Sequence, residues 1–367
     1  MEFVLGRDSG DGPVADLGSY RALDGSAGAG VALDVDRPHV LTVVGKRGYG
    51  KSHTLGVLVE ELAGTPGLAP VVVDPMGAFT PLAAQEAVPA TVTSDPTVDP
   101  AALDPASWPP LVGLAPESGP GGLVWDAVRA ADKLADMADH VAVADAPGPV
   151  ARAARNHLAM ADDWGVFDSD GLGAGDLADG GVTVLDCSGL DAGPMNAVAR
   201  VVVETCYRAR VEDRVDRLPW LLVDEAHAFF DGIAADALET VLTRGRAPGV
   251  SLAVATQRPS AVPEVCLSQT DVVVAHRLTS EADISALESA RPTYVDGSVE
   301  TRLPENVGEA LVVDDATETV HGIRVRERKT PEGGASPRAT VAADTALDRL
   351  SMEDTAGSRP PERGSGR

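Results

Sequence analysis

An α/β fold with a central, mostly parallel sheet and a helical insertion in its middle is what this sequence predicts, on three observations. Short apolar runs of strand length at residues 41–44, 70–74, 182–186, 219–224, 250–256 and 271–275 alternate with segments of helical periodicity. Such alternation marks βαβ units, whose parallel sheet is covered by helices on both faces. The first run opens into a glycine loop and then an amphipathic helix, in which Leu55, Leu58, Val59 and Leu62 recur at helical spacing before a stop at Gly64. Roughly 100 residues then separate the second strand from the third, far more than a simple crossover needs, so that stretch must carry structure of its own.

In chain order, residues 1–38 are rich in Gly and Asp with short apolar pieces, a strand-rich lead-in of one or two strands. Residues 39–80 and 181–330 form the core, and 81–180 the insertion: a Pro-, Ala- and Asp-rich surface loop over 80–122, then helical periodicity over 123–142 and 150–164. After the gap the core resumes with helices over 194–212, 233–245 and 280–290 between its strands, and closes with a hairpin of 309–313 and 321–325. Residues 331–367 turn to Gly, Ser, Pro, Arg and Glu and read as a disordered tail with a short helix near 341–351.

Composition bounds the setting. Of the 367 residues 44% are hydrophobic, enough for a sizeable core. No apolar run approaches the about 20 residues of a membrane span, and the start MEFVLGRDSGDG has no leader pattern. Cys187, Cys206 and Cys266 lie far apart without disulfide or metal spacing, which fits a reduced cytoplasm. The net charge is -26, and Lys46, Lys51, Lys133 and Lys329 are the only lysines. An acid-coated, lysine-poor surface suits a protein kept soluble in molar salt, where screening removes most self-repulsion. Acidity by itself argues against a nucleic-acid partner, although a whole-proteome adaptation to salt masks a local basic path.

Two motifs carry the chemistry. Gly45-Lys46-Arg47-Gly48-Tyr49-Gly50-Lys51-Ser52, followed by His53, fits G-x-x-x-x-G-K-[ST] between a buried strand and a helix. Its glycines let backbone N–H groups turn inward around a phosphate beside the positive end of the helix. Lys51 would neutralise the β and γ oxygens, and Ser52 would give a hydroxyl to Mg²⁺. The strand Trp220-Leu221-Leu222-Val223 ends in Asp224-Glu225. Asp224 would serve the metal side, and Glu225 would polarise an attacking water, which favours hydrolysis over a kinase or a switch. Gln257, closing the following strand, is the candidate reporter of the γ-phosphate.

With these residues in hand, the chain resembles the HerA/FtsK-type motor ATPases, most closely the archaeal HerA-like branch. The matching pieces are GKRGYGKSHTLGVLVEEL (45–62), VVVDPMGAF (71–79), VTVLDCSGL (182–190), LLVDEAHAFF (221–230), TRGRAPGVSLAVATQRPS (243–260) and HRLTSEADI (276–284). LPENVGEALVVDD is similar to the family's terminal strand region, and the likeness spans about residues 38–328. The resemblance implies a RecA-like (ASCE) P-loop NTPase core using ATP and Mg²⁺, a homo-hexameric ring with sites at subunit interfaces, and translocation of duplex DNA. The family's Gly-Arg before a Gly-Val strand corresponds to Gly245-Arg246, making Arg246 the candidate that completes a neighbour's site, with Arg244 second. Two departures stand out. Residues 1–38 leave little room for the family's N-terminal barrel, which bears on docking of its nuclease partner NurA. The family's D-P-H-G-E segment reads Asp74-Pro75-Met76-Gly77-Ala78. The tetrad Asp224-Glu225-Ala226-His227 also spells a D-E-A-H box, but residues after His227 contain no arginine-rich final motif of an RNA helicase. A protein-moving secretion, pilus or conjugation ATPase and a non-motor regulator remain as alternatives.

Overall fold

Twelve strands share one sheet in the computed structural model, which describes residues 2–21 and 26–333. They are β1 (Glu2–Leu5), β2 (Val14–Arg21), β3 (Ala27–Asp34), β4 (Val40–Val44), β5 (Leu68–Asp74), β6 (Ala90–Ser94), β7 (Val182–Asp186), β8 (Leu218–Val223), β9 (Ser251–Thr256), β10 (Val272–Ala275), β11 (Glu309–Asp314) and β12 (Thr319–Val325). Their spatial order is β1-β3-β2-β12-β11-β10-β4-β9-β8-β5-β7-β6. The half from β10 to β6 is parallel throughout. The β10-β11-β12-β2-β3 run is antiparallel, and β1 pairs parallel with β3 at the edge.

Parallel strands need crossovers, and helices supply them. They are α1 (Lys51–Ala63), α2 (Trp108–Leu111), α3 (Gly119–Ala130), α4 (Leu134–Val143), α5 (Gly148–Asp163), α6 (Ala174–Leu177), α7 (Ala192–Val211), α8 (His227–Phe230), α9 (Ala235–Arg244), α10 (Glu264–Ser268) and α11 (Glu281–Ser289). On one face α1 buries Leu55, Leu58, Val59 and Leu62 against the sheet, in a layer shared with the N-terminal strands through Leu17 and Leu33. On the other, α7 and α9 pack with the insertion, whose Trp108, Val124, Met137 and Leu158 join the same apolar cluster as Val201 and Leu238.

The predicted mostly parallel α/β sheet is the observed one. Within the insertion the structure adds what the loop reading of 80–122 lacks: Ala90–Ser94 forms the far edge of the sheet, parallel to β7. The helical stretch read as 123–142 is two helices, because Ala131 turns extended between α3 and α4. Residues 331–333 pack against the core, with Gly333 N donating to Ala78 O at 3.1 Å. The rest of the tail reading, with its short helix near 341–351, lies outside the described residues.

Candidate active site

The phosphate-loop sequence sits where the C-terminal ends of β4, β9 and β10 converge. Gly45 N donates to Thr256 O at 3.3 Å and Lys46 N to Arg277 O at 2.8 Å, so neighbouring strand ends pin the loop's first residues. Gly50, at φ 115, caps α1 in a backbone conformation that an L side chain rarely adopts. Lys51 is buried in the first turn of α1, and no acidic residue lies in that turn to oppose an anion.

Across from the loop, β8 delivers the two acids. Ser52 Oγ donates to Asp224 Oδ2 at 2.7 Å, and Asp224 Oδ1 accepts from Glu225 N at 2.9 Å. The sequence-predicted metal pair is therefore in contact. Among the described residues no group of three or more His, Cys, Asp and Glu is arranged to hold a metal ion. A hydroxyl and one carboxylate suit Mg²⁺, which keeps waters and takes the rest of its oxygens from substrate phosphates.

Glu225 is held in an unusual state. It has a left-handed backbone, φ 46, and its Oε2 is buried without a hydrogen-bond partner. Burial pushes its carboxyl above the usual range; the nearby Lys51 charge opposes this, Asp224 adds to it, and the N–H of Gln257 opposes it again. His227 Nδ1 stands 3.4 Å from Oε2 and 3.3 Å from Thr256 Oγ1. Burial first, then the charges of Arg258 and Lys51, hold that imidazole below its ordinary pKa, so the ring beside the carboxylate is neutral. A half-buried carboxylate with a spare oxygen, next to a lysine and not paired to it, can accept a proton from water.

The structure thus gathers Gly45 to Ser52, Asp224, Glu225 and Gln257 at one end of the sheet. Arg246 is elsewhere: it pairs with Asp271, just before β10, at the opposite end of the strands. In that place it does not serve its own loop. In the altered D-P-H-G-E segment, Asp74 accepts N–H groups from Met76, Ala78 and Phe79 at 3.1, 3.1 and 2.8 Å, so its carboxylate ties a turn.

Two features escaped the sequence reading. His276, fully buried beneath the loop, bonds to Thr54 and Glu309. Its only sequence signal is a polar residue ending an apolar strand. The second is a strap after β12. Glu60 of α1, whose side chain is wholly buried, accepts Thr330 N and Oγ1 at 2.8 and 2.6 Å, Lys329 N at 3.1 Å and Arg326 Nη1 at 2.8 Å. His53, next after the loop serine, reaches Arg326 O at 2.8 Å and the Glu332 carboxylate. The guanidinium of Arg328 fills the space that a Cβ on Gly56 would need, which explains a glycine in mid-helix.

Comparison with known proteins finds one family segment and shared folds. The family described as DUF87, helicase HerA central domain, matches residues 21–118, which include the phosphate loop. Among curated proteins none matches the sequence. Solved structures share the fold. VirB4 of Thermoanaerobacter pseudethanolicus is 17% identical, with a TM-score of 0.66 covering 88% of this chain and 99% of that one. The plasmid coupling protein TrwB, in complex with ADP and Mg²⁺, is 15% identical, with a TM-score of 0.56 over 80% of this chain and 87% of its own. Over residues 21–118 the chain is thus similar to the helicase HerA central domain, and its fold is similar to those of VirB4 and TrwB.

Proposed function

We propose that this chain hydrolyses ATP as a ring-forming motor that translocates or remodels duplex DNA. The observation that carries the hydrolysis is the meeting of Ser52, Asp224 and an unpartnered Glu225 oxygen beside the buried Lys51. Backbone N–H groups of Gly45, Lys46, Arg47, Gly48, Tyr49 and Gly50, with those of Lys51, Ser52 and His53 at the helix start, would face the phosphates. Lys51 would hold their charge. Ser52 and Asp224 would hold Mg²⁺, which when bound neutralises charge on the β- and γ-phosphates. Glu225 orients the attacking water and takes its proton, and Gln257, whose N–H faces Glu225, lies where it would register the γ-phosphate.

Arg246 supports a ring. It would leave Asp271 to stabilise charge on a neighbouring subunit's γ-phosphate, in a homo-hexamer of the kind the family resemblance implies. The acidity fits a molar-salt cytoplasm, where phosphate contacts contribute little affinity and encirclement of DNA needs less of it. A nuclease partner is implied by the resemblance alone. No described helix is long and apolar enough to cross a membrane. A second reading, a conjugation-type ATPase moving protein, draws on the likeness to a plasmid coupling protein. Phosphate release measured in molar KCl with and without saturating duplex DNA separates them. Stimulation by DNA supports the translocase, and an unchanged turnover sinks it. Light scattering with ATP-Mg tests the ring, which a persistent monomer refutes.

A further inference from the structure

Beneath the phosphate loop lies a histidine for which phosphate chemistry has no direct use. His276 follows β10, is fully buried, and donates its backbone N–H to Val44 O at 2.8 Å, prolonging the β10–β4 ladder to the point where the loop begins. Its side chain touches both ends of the loop. A Cβ on Gly45 would lie 2.6 Å from His276 Cβ, and one on Gly50 would lie 3.2 Å from His276 Cε1. The two fixed glycines of the motif therefore close around this ring as well as leaving room for a phosphate.

The hydrogen bonds fix its state. Nδ1 lies 2.8 Å from Glu309 O, which can only accept, so Nδ1 carries the proton. Nε2 lies 2.9 Å from Thr54 Oγ1, whose hydroxyl also lies 2.9 Å from Gly50 O. Gly50 O, which also receives Thr54 N–H at 2.8 Å, can accept twice, but an uncharged ring protonated at Nδ1 needs a donor at Nε2, and the Thr54 hydroxyl is the group placed to give it. Every polar group is then satisfied with the ring uncharged, as its burial requires. Burial drives the pKa down to about 4; the bond to Glu309 O opposes this, and the positive charge at Lys51 adds to it.

We propose that His276 is a positioning residue for nucleotide binding: a neutral imidazole that links β11, β10 and the first turn of α1, and so sets the spacing between the two ends of the phosphate loop. The proposal rests on the reading of that loop as a nucleotide site. Its contribution is to binding, because a loop held in shape before the ligand arrives loses less freedom when it closes on phosphate.

The test is calorimetric titration of ATP-Mg into the purified wild type and into His276→Phe, Thr54→Val, the double variant and Lys51→Ala, together with steady-state kinetics. Phe keeps ring volume and loses both bonds; Val leaves the imidazole in place and removes its donor. Each single variant should weaken Kd about tenfold, about 1.4 kcal/mol, with most of the kinetic loss in KM rather than kcat. The double variant should bind no more weakly than His276→Phe, since both changes break one linkage. His276→Gln, which restores a donor and an acceptor, should recover part of the loss. Unchanged Kd within twofold in both single variants, whatever happens to Tm, overturns the proposal while Lys51→Ala still fails to bind. If His276→Phe does not fold, Thr54→Val decides alone by the same criterion. A wild type that does not bind ATP-Mg, or a Lys51→Ala protein that binds as well as wild type, overturns the nucleotide reading and this proposal with it.

Discussion

Replacing Glu225 by Gln separates two consequences of one half-buried carboxylate. The amide keeps the side chain's shape and its left-handed backbone at φ 46, so the conformational strain is common to both proteins and cancels in their difference. What changes is the charge and the capacity to take a proton. General base catalysis is worth about 10²–10⁴-fold, so kcat should fall by at least about 100-fold. ATP-Mg binding should persist, because Lys51, Ser52 and Asp224 are untouched. Stability should move the other way. The folded-state pKa of Glu225 lies above its ordinary 4.5 because burial disfavours the ion. Its contribution to stability is therefore complete below that value and is lost as pH rises through the folded pKa. At pH 7 the wild type carries the cost of an ionised, half-buried carboxylate that the amide does not. Relief of that cost raises Tm at pH 7, and the advantage should vanish near pH 4. Phosphate release at saturating ATP-Mg, titration calorimetry and melts at both pH values give the three readouts. Turnover within threefold of wild type refutes the base assignment, and a lower Tm at pH 7 refutes the charge argument.

Lys51→Ala should abolish detectable ATP-Mg binding in the same calorimeter while the melt stays cooperative. Arg246→Ala should bind nucleotide but turn over poorly; mixing it with Lys51→Ala should restore activity at hybrid interfaces, and no recovery at any ratio argues against a role in a neighbour's site. Glu60→Gln should destabilise the strap by about 2–3 kcal/mol, since four donors then face an uncharged group that itself donates. Burial acts to raise the Glu60 pKa, but bonds from Thr330, Lys329 and Arg326 together hold it below the ordinary 4.5. The strap's stability is therefore present above that value and lost as pH falls through the folded pKa, which hydrogen exchange over residues 326–333 will follow. Thermal melts from about 0.1 to 3 M KCl should show Tm rising with salt on account of the net charge of -26; a flat or falling Tm removes the molar-salt reading.

What the sequence disclosed and what it hid divide along a physical line. The phosphate loop, the Asp224–Glu225 strand end and the alternation of strand and helix are local patterns, because backbone geometry repeats over a few residues. The edge strand Ala90–Ser94 is five residues long in a Pro-rich stretch, and only its pairing with β7 marks it as a strand. The break between α3 and α4 is three residues, Ala131 to Lys133, with no proline or glycine to announce it. His276 and the strap were hidden for another reason. Their partners lie 222 residues away at Thr54, and 270 residues away where Glu60 meets Thr330. No local period encodes such contacts.

The strap also changes how the charge should be understood. Buried carboxylates hold this molecule together through groups that salt cannot easily reach: Asp34 takes Arg7 and His39, Glu60 takes the strap, and Glu309 takes Arg21 and Asn306. Screening acts on exposed charges beyond about 10 Å at 0.1 M salt and far less on buried pairs. Added salt should therefore relieve repulsion over the acidic surface and leave these anchors in place. Three of the four lysines cluster around one helix: Lys46 in the loop before α1, Lys51 in its first turn, and Lys329 against Glu61 near its end. A compact, strongly hydrated ammonium is retained where a point charge must meet phosphate or carboxylate, while arginine supplies the planar, multiply bonded buried contacts. The composition that argued against an anionic ligand over the whole surface thus keeps two of its four lysines in the phosphate-loop sequence.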